Sequence, residues 1–272
     1  MEKILNKIKK LIPVKLFKIA QPAYHFILSW FSAVLYKFPS EKLIVIGVTG
    51  TTGKTTSVYL IAKALQEAGY KTGFTSTAIF NDGKKEWLND KKMTMVGRFF
   101  TQKILKEMVK NGCRYAIVET TSEGIKQFRH RFINYDILVF TGLYPEHIES
   151  HGGFENYKKA KGELFNYLKK CKIKYADEKK IVKRGASGLK KTDLNRIKKT
   201  IIANYDDANA DYFLNFWAER KIVFLKETET EFNENEFIQS DKEFIRYSDI
   251  KVSEFGTSLL VNNTNIQLKL LG

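Results

Sequence analysis

Residues 47 to 57 read Gly-Val-Thr-Gly-Thr-Thr-Gly-Lys-Thr-Thr-Ser and follow the apolar run Leu43 to Ile46. A strand, a glycine-rich turn and a helix start in that order suit a nucleoside triphosphate. Glycines let backbone N–H groups approach phosphate oxygens, and the helix N-terminus adds the positive end of its dipole. Gly50, Thr51, Thr52, Gly53, Lys54, Thr55 and Thr56 are therefore the candidate ATP-binding residues. Among them Lys54 offers a point charge to the β- and γ-phosphates, and the Thr55 hydroxyl reaches Mg²⁺. An ordinary glycine turn has no reason to place Lys-Thr-Thr at a helix start. The turn is compact, because the position where a common P-loop carries its first glycine is here Val48.

Three later segments also carry chemistry. Glu119-Thr120-Thr121-Ser122-Glu123-Gly124 begins where the short buried run Tyr115 to Val118 ends. A carboxylate at the carboxyl end of a strand beside the P-loop strand is placed to hold Mg²⁺, directly or through water. The loop Thr141 to Gly152, after the run Asp136 to Thr141, holds His147 and His151, two of the four histidines in the chain. That pair lacks the third ligand a zinc site requires. Tyr157 to Phe165, with Lys161 inside it, is by composition an amphipathic helix.

The elements that must position these residues follow from periodicity. From Lys42 onward strands and helices alternate, which predicts an α/β fold with a mostly parallel sheet flanked by helices. A helix runs through Val58, Ile61, Ala62 and Leu65 to its stop at Gly69. Phe74 to Phe80 reads as one strand, with Asn81-Asp82-Gly83 as a turn. Thr101 to Lys110 and Asn156 to Leu168 read as helices. Ile201 to Asn204, Lys221 to Phe224, Ser258 to Val261 and Ile266 to Leu271 read as strands. The lysine-rich stretch from Lys172 to Lys199, with Gly185 and Gly188, reads as a mobile insertion or a solvated helix pair. It lacks the aromatics of a nucleic-acid arm, having only Tyr175.

With 272 residues, 43% hydrophobic and 13% aromatic, the chain is globular rather than disordered. Its net charge of +16 points to acidic partners, among which a nucleotide, a membrane surface and nucleic acid compete. No helicase-like motif accompanies the charge, and nucleic acid is not expected. Cys113 and Cys171 stand far apart, so neither a disulfide framework nor a zinc site is indicated and a reducing cytoplasm fits. No signal peptide is visible.

Residues 1–40 form a basic and apolar helical extension. Lys3, Lys7 and Lys10 share one helical face and Ile4, Ile8 and Leu11 another, with breaks expected at Pro13 and Pro22. Residues 26 to 36 are strongly apolar but shorter than the ~20 residues that cross a bilayer. Two readings stand: an amphipathic anchor with peripheral membrane contact through residues 1–38, or a helix pair packed on the nucleotide domain.

In order and spacing, the four chemical segments resemble the central ATPase domain of the Mur ligase family. The likeness is greatest to members that add the third residue to UDP-N-acetylmuramoyl-dipeptide. The compact Gly50 to Thr55 turn is the form that family uses, and further matches are Thr94 in a Thr-Met motif, Gln127-Phe128-Arg129 and Asn204-Tyr205-Asp206-Asp207. The resemblance spans about Leu43 to Gly272. It implies an ATP-dependent carboxylate–amine ligase of peptidoglycan synthesis, acting in the cytoplasm through an acyl phosphate, with a UDP-muramoyl-peptide and an amino acid as partners. ATP and Mg²⁺ are the implied cofactors. Lys54, His147 and Lys161 are then the implied catalytic residues. Thr55, Glu119, His147 and Lys161 become metal ligands, with Lys161 matching a lysine that CO₂ converts to a carbamate. Thr94, Thr121, Gln127 and Arg129 match positions that contact the muramoyl-peptide.

Departures from the family pattern are Thr52 for asparagine, Glu123 for histidine, Gly142 for asparagine and Glu146 for aspartate. Residues 41–272 would form the ATP-binding domain, with the usual uridine-diphosphate domain replaced by the short extension and the family's carboxyl-terminal domain absent from this chain. Two other readings compete. A folylpolyglutamate or cyanophycin-type ligase shares the P-loop, and a membrane-associated ATP-binding subunit need not complete ligation. The Glu146-to-Gly152 and Gln127-to-Arg129 segments favour the muramoyl class over the folate class.

Overall fold

The computed structural model describes residues 14–91, 93–146, 151–177, 181–183, 194–227 and 241–269. Its first half runs through α1 (Val14–Leu35), a 3-10 turn at Pro39–Lys42, β1 (Ile44–Thr49), α2 (Lys54–Glu67), β2 (Thr72–Thr75), β3 (Ile79–Asn81) and β4 (Glu86–Leu88). α3 (Arg98–Lys110), β5 (Tyr115–Glu119), α4 (Ser122–Lys126), β6 (Ile137–Phe140) and α5 (Phe154–Leu168) follow. The remainder is β7 (Lys174–Ala176), β8 (Ile181–Lys183), β9 (Asn195–Ile197), β10 (Thr200–Asn204), α6 (Ala210–Leu214), β11 (Arg220–Lys226), β12 (Lys242–Ser253), β13 (Gly256–Val261) and β14 (Thr264–Leu268).

One eleven-stranded sheet has the order β14-β13-β12-β11-β10-β6-β1-β5-β2-β3-β4. Pairing is parallel from β12 to β2 and antiparallel in the hairpins at both ends. Every residue of β1 is buried, as expected of a parallel strand covered on both faces. Its side chains alternate. Ile46 and Val48 pack with Val58 and Ala62 of α2 on one face, while Val45 joins the larger cluster containing Leu105, Leu164 and Phe165 on the other. Gly47 has no room for a side chain, since a Cβ there would lie 2.8 Å from both Leu138 and the Tyr135 ring. α2 ends where the sequence predicts, with Gly69 at φ 84° and Tyr70 N–H donating to Leu65 O at 2.9 Å.

Three local expectations are corrected. Phe74 to Phe80 is not one strand but the two antiparallel strands β2 and β3, because Ser76 makes the bend: its N–H and Oγ both donate to Ile79 O. Pro22 does not break the extension but lies inside α1. Packing of α1 against α3 and the loop after α4 outweighs the one backbone bond a proline removes. The described residues of the stretch Lys172 to Lys199 are neither a helix pair nor simply solvated; they include the antiparallel sheet β8-β7-β9. Two of its lysines, Lys174 and Lys199, are fully buried and donate to the two carboxylate oxygens of Asp136. Lysine count suggested a solvated face, whereas a single buried aspartate drew two of them inward.

Candidate active site

β5 and β6 pair with β1 on its two sides, so the carboxyl ends of three parallel strands meet. Loops leaving such ends form the ligand crevice of open α/β sheets. Here those loops begin at Gly50, Thr120 and Thr141, and between them lies a cleft of about 770 Å³.

The turn after β1 is held by hydrogen bonds to residues in the loop after β6. Thr51 N–H donates to Gly142 O at 2.8 Å, and Thr141 Oγ1 donates to Thr52 O at 2.7 Å. A Cβ on Gly50 would meet Thr141 Oγ1 at 2.0 Å, so only glycine permits this approach. Gly53, at φ 74°, caps α2 without any side-chain acceptor. The first N–H groups of that helix therefore have no side-chain cap and face the cleft lined by Lys54, Thr55 and Thr56. Lys54 Nζ donates to Thr51 O at 2.5 Å, and burial lowers its pKa against the opposing pull of Glu119 and Glu146.

Glu119, almost fully buried at the end of β5, is the cleft's deepest acid. Thr55 Oγ1 donates to its Oε2 at 3.0 Å. Thr77, in the bend between β2 and β3, adds an N–H bond of 2.7 Å and a hydroxyl bond of 2.9 Å. A hydroxyl and a carboxylate are the hard oxygen donors that Mg²⁺ takes, usually one or two from protein with the rest from phosphate and water. Among the described residues no group of three or more His, Cys, Asp or Glu could hold a metal by itself.

Lys161 projects from α5 and is only 2% exposed. Its Nζ donates to Gly50 O at 2.8 Å and lies 4.6 Å from the centre of the Tyr157 ring. Burial, then the nearby Lys54 ammonium, pull its pKa down to about 7. Tyr157 shares a hydrogen bond of 3.3 Å with Thr51 Oγ1, and His151 meets Ser122 Oγ at 3.1 Å.

Along the other wall Thr94, Thr121, Gln127 and Arg129 line the same cleft. Thr94 Oγ1 lies 2.9 Å from Thr77 Oγ1, and Thr121 caps α4 by accepting from Gly124 N–H at 3.1 Å. Arg129 donates to Gln127 Oε1 at 2.7 Å, Gln127 donates to Glu123 Oε1 at 2.8 Å, and Arg129 also donates to Met95 O. Arg98, outside the cleft, donates to Gln127 O at 2.9 Å and reaches Ser29 Oγ on α1 at 3.2 Å.

The structure thus gathers around one cleft the P-loop residues, Glu119, Lys161 and the four residues matched to substrate contact. His147 lies outside the described residues. Sequence reasoning passed over Thr77, Met95, Ser122 and Tyr157 as site residues. Only Tyr157 carried a signal, standing four residues, one helical turn, before Lys161; Thr77 sits in a bend that no motif marks.

A mostly parallel α/β sheet with a strand, glycine turn and helix of this form defines a P-loop nucleotide-binding domain. A family model described as the Mur ligase middle domain matches residues 48–272, and the chain belongs to the Mur ligase family. It is 34% identical over 159 residues to the UDP-N-acetylmuramyl-tripeptide synthetase of Roseiflexus sp. (strain RS-1), covering 58% of this chain and 31% of that one. With the synthetase of the same description from Borreliella afzelii (strain PKo), identity is 36% over 197 residues, covering 71% and 38%. The chain spans about a third of the length of these curated relatives. A solved UDP-N-acetylmuramoyl-L-alanyl-D-glutamate–2,6-diaminopimelate ligase shares the fold at a TM-score of 0.59 and 22% identity, covering 85% of this chain and 40% of that one.

Proposed function

We propose that this chain is the ATP-handling part of a ligase that joins an amino acid to the carboxylate of a UDP-muramoyl-peptide in peptidoglycan synthesis. The observation that carries it is the Thr55 hydroxyl 3.0 Å from the Glu119 carboxylate, beside the uncapped start of α2 and in one cleft with Lys54 and Lys161. The names of the relatives support the muramoyl-peptide as acceptor. Two buried free thiols suit a cytoplasmic setting.

A carboxylate oxygen is a poor leaving group. The acceptor carboxylate attacks the γ-phosphorus, ADP departs, and the resulting acyl phosphate is open to the amine, which displaces phosphate and loses a proton. The protein's task is to hold anions together and keep their charges balanced. Backbone N–H groups from Gly50 to Thr56 cradle the phosphates, and Lys54 leaves Thr51 O to reach the β- and γ-oxygens. Thr55 and Glu119 would hold Mg²⁺, which when bound would supply neutralisation of the phosphate charge. Thr77 keeps the Glu119 carboxylate oriented. Lys161 as an ammonium repels a cation; as a carbamate it becomes an anionic oxygen donor, and its lowered pKa favours the neutral amine that reacts with CO₂. His147 is assigned to a second Mg²⁺. Arg129 suits a carboxylate or diphosphate, with Thr94, Thr121 and Gln127 beside it on the acceptor.

Phosphate release from ATP and Mg²⁺ tests the proposal, with UDP-muramoyl-dipeptide and a set of amino acids as co-substrates. Release stimulated by the dipeptide and an amino acid is expected. Stimulation by a folate acceptor instead, or by none, counts against it.

A further inference from the structure

α1 is amphipathic in the reverse of the usual sense. Its inward face carries Ser29 and Ser32, at 1% and 0% exposure, with the small Ala33. These are tied down: Ser29 Oγ donates to Phe128 O at 2.9 Å, and Arg98 bridges to Ser29 Oγ and His25 Nδ1. Outward lie Phe26, Ile27, Trp30, Phe31, Val34 and Leu35, each more than 40% exposed. At 100° per residue these six fall on one side of the helix. A water-facing helix turns such residues inward and its hydroxyls outward, so this face is shaped for an apolar cover. Edge contacts of Phe26 with Phe132 and of Phe31 with Phe99 fix it in place.

The charge of the segment that carries α1 names the cover. Residues 3–40 contain seven lysines and no aspartate or glutamate. Beside the helix, Phe26, Trp30 and Phe38 share a groove of about 540 Å³ with Arg131, Lys170 and Lys172, the last paired with Glu41. Two copies of the chain meeting through this face would oppose like charges, which costs affinity. An anionic lipid surface takes both features, the apolar side chains below the head groups and the lysines among them. No described helix is long and apolar enough to cross a membrane.

We infer that the outer face of α1 docks this protein on an anionic lipid bilayer, with Trp30 and Ile27 entering the head-group boundary. This goes beyond the ligase reading and is measured without ATP or peptide. The full chain is floated with vesicles of phosphatidylcholine and phosphatidylglycerol, and with vesicles of phosphatidylcholine alone. Selective flotation with the anionic vesicles, reversed by salt, is expected. Trp30→Glu and Ile27→Glu, whose exposed positions leave the fold intact by circular dichroism, each lower the partition by about tenfold or more. Failure to float with either vesicle overturns the inference, as does equal, salt-insensitive flotation with both. A dimer in sedimentation equilibrium that Trp30→Glu converts to monomer, without flotation, assigns the face to a second copy and overturns it too.

Discussion

Lys161 Nζ lies 2.8 Å from the carbonyl oxygen of Gly50, although 111 positions separate them in the chain. A helix that follows β6 thereby closes on the turn that follows β1, and an amine becomes part of the wall of the cleft. Burial and the neighbouring Lys54 both oppose protonation there.

That contact predicts a pH-gated modification. With its pKa at about 7, Lys161 is increasingly a neutral amine as pH rises through that value, and the neutral amine attacks CO₂. A carbamate signal in ¹³C NMR under ¹³CO₂ should grow as pH rises through about 7 and be missing in Lys161→Met. Stability of the unmodified protein follows the same group. Between about 7 and 10.5 the unfolded chain binds more protons than the folded one, so stability contributed by this site rises with pH across that window. A signal that survives in Lys161→Met would refute the assignment.

Glu119→Gln keeps the shape of the side chain and removes its charge. Magnesium should then strengthen nucleotide binding at least about tenfold less than in the unaltered protein, since ligand-shell changes weaken metal sites on that scale. Calorimetry with ATP, with and without Mg²⁺, measures it. An unchanged magnesium effect would remove Glu119 from the metal site.

Gly50→Ala and Gly69→Ala separate close approach from backbone strain. At Gly50 the new methyl meets Thr141 Oγ1 at 2.0 Å and the Gly142 carbonyl at 2.9 Å, whereas nothing lies within 4 Å at Gly69. Both substitutions should lose about 1–3 kcal/mol in urea unfolding. Only Gly50→Ala should also weaken ATP binding, because only there does the turn itself move.

Asp136→Ala leaves the Lys174 and Lys199 ammonium groups buried without their shared acceptor. A loss of about 3–5 kcal/mol is expected from chemical denaturation. A loss below about 1 kcal/mol, the scale of an exposed pair, would show that the two lysines find water instead.

Much of the site was legible because its signals are local. Gly50 to Thr56 announce strand, turn and helix within a few residues, and Glu119 ends an apolar run short enough to be a buried strand. Lys161 was reached only through resemblance, since by composition its helix is unremarked. Thr77 was missed because its value lies in bonds to Glu119, 42 positions away, and no pattern in the chain points there.

Residue order alone determined the alternation of strands and helices, the phosphate-binding turn and the family to which they belong, since backbone periodicity and glycine freedom act over a handful of neighbours. Strand order was decided in three dimensions: β5 and β6 flank β1, which is why Glu119, Thr141 and the P-loop converge. Only there, too, did two lysines of a basic stretch turn inward on Asp136, and α1 settle with its hydroxyls buried and Trp30 outside. Burial and desolvation depend on what packs from distant parts of the chain, and a linear pattern of apolar and charged residues does not contain that partner.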